Sequence, residues 1–245
     1  MTVGVMGISV QVYIDDAVKA VQDVHKRHIP FASVYAATLT AREVKLDEIR
    51  TMREVFDRPT PYALNALAVI PATMSAPVAT VEFDIRDPGK GGTPAKRFLN
   101  PNIHGGRRSQ KSHERLLAAM MGSTYLMPAK GTPINAYGNV SGATFKRIIS
   151  QLKVSSDPMQ NATGSYRSKR KRRNDAYFKV KGRPLIMHRK GDVVSPVLVG
   201  VRAPHYQKRF PFYEVVQATV AREFPRQFVI ALERAIAKGN SRGKW

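Results

Sequence analysis

Residues 192–238 constrain the fold of this 245-residue chain more than any other stretch. The β-branched, apolar run at 193–201 predicts a buried strand, because branched side chains pack well on a pleated surface. Pro196 cannot donate a hydrogen bond to a neighbouring strand, so we expect it at the beginning of the strand or on a sheet edge. Apolar residues then recur at helical spacing over 212–236, and Pro225 inside that pattern predicts a kink or two abutting helices.

The N-terminal part of the chain predicts two helices. An apolar period of 3.6 residues covers residues 14–28, and a longer helical pattern covers residues 31–56. Pro30 is the expected break between these two helices. A proline-rich stop follows the second helix, and Thr60 is placed there to cap a short turn over residues 61–67.

The strands of the predicted sheet come from three parts of the chain. Alternating apolar and polar residues at 67–73 and 78–84 predict a hairpin with one solvated face. Two further strands are predicted, one beginning at Tyr177 and one over 185–188. We expect these strands and the 193–201 strand to form one central, mainly antiparallel sheet.

The middle of the chain predicts helices separated by loops. One helical pattern covers residues 96–99 and 107–121, and a turn-rich connection is expected at 126–133. Ser141 is a good N-cap for a helix at 142–153, because its hydroxyl can accept a hydrogen bond from the first turn.

The chain as a whole is predicted to be a single α+β domain over residues 1–245. Its architecture is N-terminal helices, a central mainly antiparallel β-sheet and a long C-terminal helix packed on the sheet. There is no repeat of 20–50 residues and no linker between two cores. Residues 155–175 contain almost nothing apolar, so we expect a mobile basic loop there.

Positive charge is concentrated in the second half of the sequence. Residues 1–100 contain 12 Lys and Arg against 11 Asp and Glu, whereas residues 101–245 contain 28 against 7. Such an asymmetry indicates a polyanionic neighbour, most often a nucleic acid, although an acidic protein partner or solubility alone would also account for it.

Catalytic and metal-binding patterns are weak in this sequence. There is no cysteine, which excludes disulfides and Cys-ligated zinc. The glycine-rich segment at 89–93 lacks the glycine spacing and the Lys-Ser/Thr pair of a phosphate-binding loop. His104, His113 and Glu114 fit no zinc spacing. We therefore expect no enzyme activity and no metal or other cofactor. The sequence also has no apolar run that reaches the ~18 residues that a membrane span requires.

The strongest functional signal is the basic run at 167–173. A segment of this kind can neutralise phosphates without reading bases, and a second basic cluster is found between the predicted strand and the C-terminal helix. The residues predicted to contact nucleic acid or an acidic partner are Arg167, Lys169, Arg170, Lys171, Arg172, Arg173, Arg202, Lys208 and Arg209. The alternative is a solvated loop, or one that pairs with acidic residues of a neighbouring subunit.

Four segments of the chain resemble a family of tailed-bacteriophage proteins. They are EVFDRPTPYALNALAV (54–69), GTPAKRFLNPNIHGGRR (92–108), NAYGNVSGATFKRIISQLK (135–153) and PVLVGVRAPHYQKRFPFYEVV (196–216). These strings resemble the minor tail protein Z, or tail-completion (neck), family. The similarity runs in order across about residues 30–235.

The resemblance implies a structural virion protein rather than an enzyme. It implies a ring-forming homo-oligomer at the head–tail junction or in the tail, in contact with other phage neck, tail or portal-adaptor proteins. The protein would be made in the cytoplasm of the host bacterium and would then reside in the virion. The positive charge of the second half, and not the resemblance, predicts a nonspecific contact with phage DNA. The alternative from another class is a sequence-nonspecific nucleic-acid-binding protein that coats or packages nucleic acid.

Overall fold

A computed structural model describes residues 15–83, 93–123 and 125–242. The protein is α+β, as the sequence predicts. The helices of the described residues are α1 (Asp15–Asp23), α2 (Ile29–Val55), α3 (Pro61–Leu64), α4 (Ala95–His104), α5 (Ser112–Met121), α6 (Gly142–Gln151), α7 (Tyr166–Asn174) and α8 (Phe212–Arg242). A π-helical turn at Val24–His28 joins α1 to α2, and a 3₁₀ turn lies at Pro158–Gln160.

The strands of the described residues form three separate sheets. They are β1 (Leu67–Ile70), β2 (Thr80–Phe83), β3 (Gly106–Arg107), β4 (Tyr125–Pro128), β5 (Asp175–Lys179), β6 (Leu185–Lys190), β7 (Val193–Val201) and β8 (His205–Tyr206). The main sheet has the order β4-β7-β6-β5 and is antiparallel throughout. β1 pairs with β2, and β3 pairs with β8.

The chain divides into two compact units, which we describe one at a time. The helical unit contains, of the described residues, 15–47, 68–82 and 213–242. The sheet unit contains residues 48–67 and the described residues of 83–212. The single domain expected over 1–245 stays a prediction, because two compact units can belong to one domain or to two.

The composition of the main sheet differs from the prediction. The predicted hairpin at 67–85 forms the separate β1–β2 sheet, and residue 84 onward lies outside the described residues. The main sheet contains β4 instead of this hairpin. β4 pairs with β7, and Leu126 lies opposite Gly200. The sequence predicted a turn-rich connection at 126–133, because the four residues of β4 are too few to show an alternating pattern.

Pro196 lies in the first half of β7, where the strand is paired on one side only, which agrees with the predicted position near the beginning or on an edge. β6 pairs with β7 from Val193 to Val199, whereas β4 pairs only with Leu198–Val201 and does not reach Pro196. The register between β6 and β7 shifts where Met187 lies opposite Pro196 and Ile186 lies opposite Leu198. This irregularity leaves Val197 as an extra residue, and a β-bulge is one of the few places where a proline fits inside a sheet.

The core of the sheet unit lies between the main sheet and helices α5 and α6. Leu198 is 1% exposed at the centre of β7. The buried side chains of this cluster are Leu117, Met121, Leu126, Val140, Ile148, Tyr177, Ile186, Val197 and Leu198. The central strand predicted from the β-branched run is therefore confirmed.

Two predicted helix caps are present. The Thr60 hydroxyl accepts a hydrogen bond from the backbone N–H of Ala63 at the start of α3. The Ser141 hydroxyl accepts one from the backbone N–H of Thr144 at the start of α6. Each cap satisfies a donor that the first turn of a helix leaves without an intrahelical partner.

The helical unit is built from the N-terminal part of α2 and from α8. Ala32 and Ala36 pack against Ala231, and all three are fully or almost fully buried. The hydroxyl of Thr219 donates to the Asp47 carboxylate at 2.8 Å, and Arg222 donates to the same carboxylate at 2.6 Å. Small side chains and one shared carboxylate thus hold the two helices together.

The two prolines of this unit have different effects on its helices. Pro30 lies in the first turn of α2, directly after the π-helical turn, so a helix boundary is found where the sequence predicted the break. Pro225 lies inside α8, which runs as one helix and not as two. The packing of Ala231 against α2 stabilises the half of α8 that follows Pro225. Val220, which the helical pattern placed in the core, is exposed.

Gly200 lies in β7 where neighbouring atoms leave no room for a side chain. A Cβ at this position would lie 2.3 Å from Ser123 Oγ and 2.9 Å from Pro184 Cβ. We expect Gly200→Ala to lower the free energy of unfolding by about 1–3 kcal/mol through overpacking. Gly142→Ala is the matched control, because nothing lies within 4 Å of a Cβ there. Urea unfolding of both variants measures the difference, and equal stabilities would contradict the crowding at Gly200.

None of the helices that the structure describes combines the length and the apolar character that crossing a bilayer requires.

Candidate polyanion-binding helix

The basic run lies on a helix, not in the loop that the sequence predicted for 155–175. α7 begins after Ser165, whose hydroxyl accepts a hydrogen bond from the backbone N–H of Ser168 at 3.3 Å. The helix ends at Asn174, and β5 follows at once. Lys and Arg are good helix formers, so a run without apolar residues can still be helical when it is capped and anchored.

One of the six basic side chains of α7 is folded back onto the protein. Arg172 donates hydrogen bonds to the backbone carbonyls of Ser168 at 3.4 Å and of Thr163 at 3.1 Å. Ser168 and Arg172 are half-buried, whereas the other side chains of α7 are exposed. Arg172 therefore serves the structure and does not point to a partner.

The other five basic residues of α7 face solvent. They are Arg167, Lys169, Arg170, Lys171 and Arg173. Within the part of the chain that the structure describes, none of these five forms an ion pair with a carboxylate. Five positive charges on nine residues repel one another, so a negative neighbour would stabilise this surface.

The C-terminal end of α7 is held by the start of β5. The Asp175 carboxylate lies 2.7 Å from His188 Nε2 and accepts a hydrogen bond from Arg147 at 2.7 Å. The His188 contact and the Arg147 charge hold the pKa of Asp175 below its usual value, against the effect of burial. The Tyr177 ring stacks on His188 with 4.2 Å between ring centres.

Gln151 of α6 fixes the outer edge of β5. Its side-chain carbonyl accepts a hydrogen bond from the backbone N–H of Tyr177 at 2.7 Å, and its amide donates to the Asp175 carbonyl at 3.4 Å. The amide group thus takes the place of a neighbouring strand at this edge. Together with Arg147 it ties α6 to the residue that follows α7.

The exposed side of α7 brings together Tyr166, Arg167, Arg170, Lys171 and Asn174. The Tyr166 side chain is 82% exposed at the N-terminal end of this surface. Cationic groups with one aromatic ring and one amide suit a phosphate-bearing ligand better than an apolar one.

The second predicted basic cluster lies on a different part of the chain, between β7 and α8. Arg202 and Lys208 are exposed there. The Arg209 guanidinium donates to the Asn102 side chain at 2.8 Å and lies over the Phe56 ring at 4.9 Å from its centre. Arg209 is therefore engaged within the sheet unit, and the nine predicted contact residues do not form one continuous row.

A buried ion pair is the feature that sequence reasoning missed. Arg108 donates two hydrogen bonds to the Glu114 carboxylate, at 2.5 and 2.6 Å, and a third to the Tyr206 hydroxyl at 3.2 Å. The backbone N–H of Lys111 also donates to Glu114. Burial alone raises the pKa of Glu114, but these hydrogen bonds and the Arg108 charge hold it below the usual value. Arg108 and Glu114 are six residues apart in the sequence, and this spacing alone does not predict an ion pair.

The histidines considered as metal ligands have other surroundings. His113 stacks on Phe145 with 3.9 Å between ring centres, and burial lowers the pKa of His113 to about 4. Glu114 is held by Arg108. Across residues 15–83, 93–123 and 125–242, no group of three His, Asp or Glu residues is placed to hold a metal ion. The glycine-rich segment at 89–93 lies almost entirely outside these residues.

Comparison of the chain with protein-family models, with curated proteins and with solved structures finds no match.

Proposed function

We propose that this chain is a structural subunit of a tailed-bacteriophage virion, of the tail-completion (neck) or minor tail kind. It assembles as a ring in contact with other neck, tail or portal-adaptor proteins, and it presents α7 to a polyanionic neighbour. The protein is made in the bacterial cytoplasm and then resides in the virion. No enzymatic activity and no cofactor is part of this proposal.

The observation that carries the proposal is the exposed basic surface of α7. Five cations face solvent there without a carboxylate partner in the described part of the chain. In a homo-oligomer, such surfaces repel one another unless a polyanion screens them. A ring that surrounds or contacts DNA, or that binds an acidic neighbour, provides that screening.

The segments that resemble the phage family support the same proposal. Residues 54–69 include the capped turn α3, residues 135–153 include the capped helix α6, and residues 196–216 include most of β7. These are structural elements of the sheet unit and carry no catalytic constellation. The resemblance therefore favours a role in assembly over a role in catalysis.

Exposed apolar side chains on α2 support oligomer formation. Phe31, Tyr35 and Leu46 are exposed and share one side of the helix, and the Phe31 and Tyr35 rings stack. A ring subunit needs surfaces for its neighbours, and exposed aromatic side chains at helical spacing suit a contact between copies of this chain.

The mass of the purified protein, measured before and after nuclease treatment, tests the proposal. We expect an oligomer of defined mass that survives nuclease, because protein–protein contacts hold a ring together. A Phe31→Ser, Tyr35→Ser variant should shift the mass toward the monomer. The exposed Met159, 92% solvent-accessible on the sheet unit, provides the control variant Met159→Ser, which should leave the mass unchanged.

A nucleic-acid-coating protein is the second candidate, and the same α7 surface favours it. Such a protein should be monomeric after nuclease treatment and should form large particles only when nucleic acid is added back. That outcome would replace the virion proposal with the coating function.

A further inference from the structure

The exposed side chains of α7 are arranged in three rows. Consecutive helical residues are about 100° apart, so residues four positions apart lie in one row and about 6 Å apart along the axis. The centre row is Tyr166, Arg170 and Asn174. The two flanking rows are Arg167 with Lys171 on one side and Lys169 with Arg173 on the other.

The remaining side of the helix faces the protein. It carries Ser168 and Arg172, the two half-buried residues of α7. Arg172 folds along this side and donates hydrogen bonds to the carbonyl of Ser168 in the same helix and to that of Thr163 just before it. The cations of α7 thus cover roughly 200° of the helix circumference, on both flanks of a central row.

This arrangement of cations distinguishes an acidic protein from duplex DNA as the polyanion that α7 binds. An extended acidic peptide or a flat acidic surface can contact one row of cations and leaves the opposite flank unpaired. The major groove of duplex DNA is about 12 Å wide, admits an α-helix and has a phosphate strand along each wall. A helix with cations on both flanks therefore matches a concave ligand that carries charge on both sides.

We propose that α7 lies in the major groove of a DNA duplex, with each flanking row on the phosphates of one strand. This inference rests on the proposed function, because it names the polyanion that α7 contacts. The centre row then faces the base edges, where Arg170 and Asn174 have donors that guanine and adenine can accept. Arg172 takes no part in binding, although it belongs to the basic run in the sequence.

Salt dependence of binding tests the flanking rows in the intact protein. A 20-base-pair duplex of mixed sequence is titrated at NaCl concentrations from about 50 to 200 mM, the range in which counterion release dominates. The test variant replaces the four flank residues with Gln, and the slope of log affinity against log salt should become shallower by about 3.6, since each phosphate contact contributes about 0.9. Over that fourfold range, the wild type then loses roughly 150-fold more affinity than the variant.

Three control variants make this test specific. Arg172→Gln should leave the slope unchanged, because its guanidinium is bonded to backbone carbonyls. Lys181→Gln with Arg183→Gln removes two exposed charges from the turn between β5 and β6 and should also leave it unchanged. A charge-conserving variant, Arg167→Lys with Arg173→Lys, should keep the wild-type slope and shows that the helix tolerates substitution there.

Competition with groove-specific DNA ligands tests which groove of the duplex α7 occupies. Methyl green, which occupies the major groove, should displace the protein, and netropsin, which occupies the minor groove, should not. Tighter binding of a single strand, equal competition by polyglutamate, or an Arg172→Gln effect as large as that of the flank variant would overturn the inference. A nuclease-resistant oligomer that does not bind DNA would overturn this inference and leave the proposed ring intact. A monomer that binds DNA would overturn the proposed ring and leave this inference intact.

Discussion

Replacing Glu114 with Gln should lower the free energy of unfolding by about 3–5 kcal/mol, because it leaves the buried Arg108 charge without its partner. The Glu114 side chain is 2% exposed and that of Arg108 is 12% exposed, so water cannot replace the lost carboxylate. The backbone N–H of Lys111 also loses an anionic acceptor. Urea unfolding followed by circular dichroism measures the loss.

Two further variants distinguish the buried Arg108–Glu114 pair from an ion pair at the protein surface. Asp57→Asn breaks the surface pair with Arg58, whose side chains are largely exposed, and should change stability little. Replacing Arg108 with Met and Glu114 with Leu together should recover much of the loss, because no charge is then left unpaired. A Glu114→Gln variant as stable as Asp57→Asn would contradict a stabilising role for the buried pair.

The pH dependence of the same variant has a defined sign. The pKa of Glu114 is held below its usual value in the folded protein, so its contribution to stability is present above the unfolded-state pKa. That contribution is lost as the pH falls through the folded-state pKa. The stability difference between wild type and Glu114→Gln should therefore shrink below a pH of about 4.

The parts of the fold that the sequence predicted well carry strong local signals. β7 follows a long β-branched run, and α6 begins at Ser141 where a hydroxyl can cap it. The stop after α2 contains Pro59 and Pro61, which restrict the residues before them. In each case the information lies within a few consecutive residues, so no knowledge of the tertiary structure is required.

The parts that the sequence did not predict depend on distant residues. β4 is a strand because it pairs with β7. The four residues of β4 have no apolar periodicity that would predict a strand. Pro196 is accommodated by a bulge against Met187, a feature of the pairing and not of either strand alone. α7 lacks an apolar stripe, and its helical state is supported by the Ser165 cap and by Asp175 at its end.

The candidate site was predicted in composition but not in geometry. The six basic residues of the run look equivalent in the sequence. Only the helical arrangement shows that Arg172 points back to Thr163 while the other five face solvent. The cap at Ser165 was the available signal, since a serine placed before a run of good helix formers predicts a helix start.

Leu198→Ala should lower the free energy of unfolding by about 2–5 kcal/mol, because it creates a cavity in the centre of the main sheet. Leu198 is 1% exposed and belongs to the buried cluster that includes Leu117, Ile148 and Ile186. Val193→Ala is the matched control, since Val193 lies in the same strand and is 67% exposed. The control should change stability by no more than about 0.5 kcal/mol. Equal unfolding midpoints for the two variants would mean that β7 is not the strand around which the core of the sheet unit is packed.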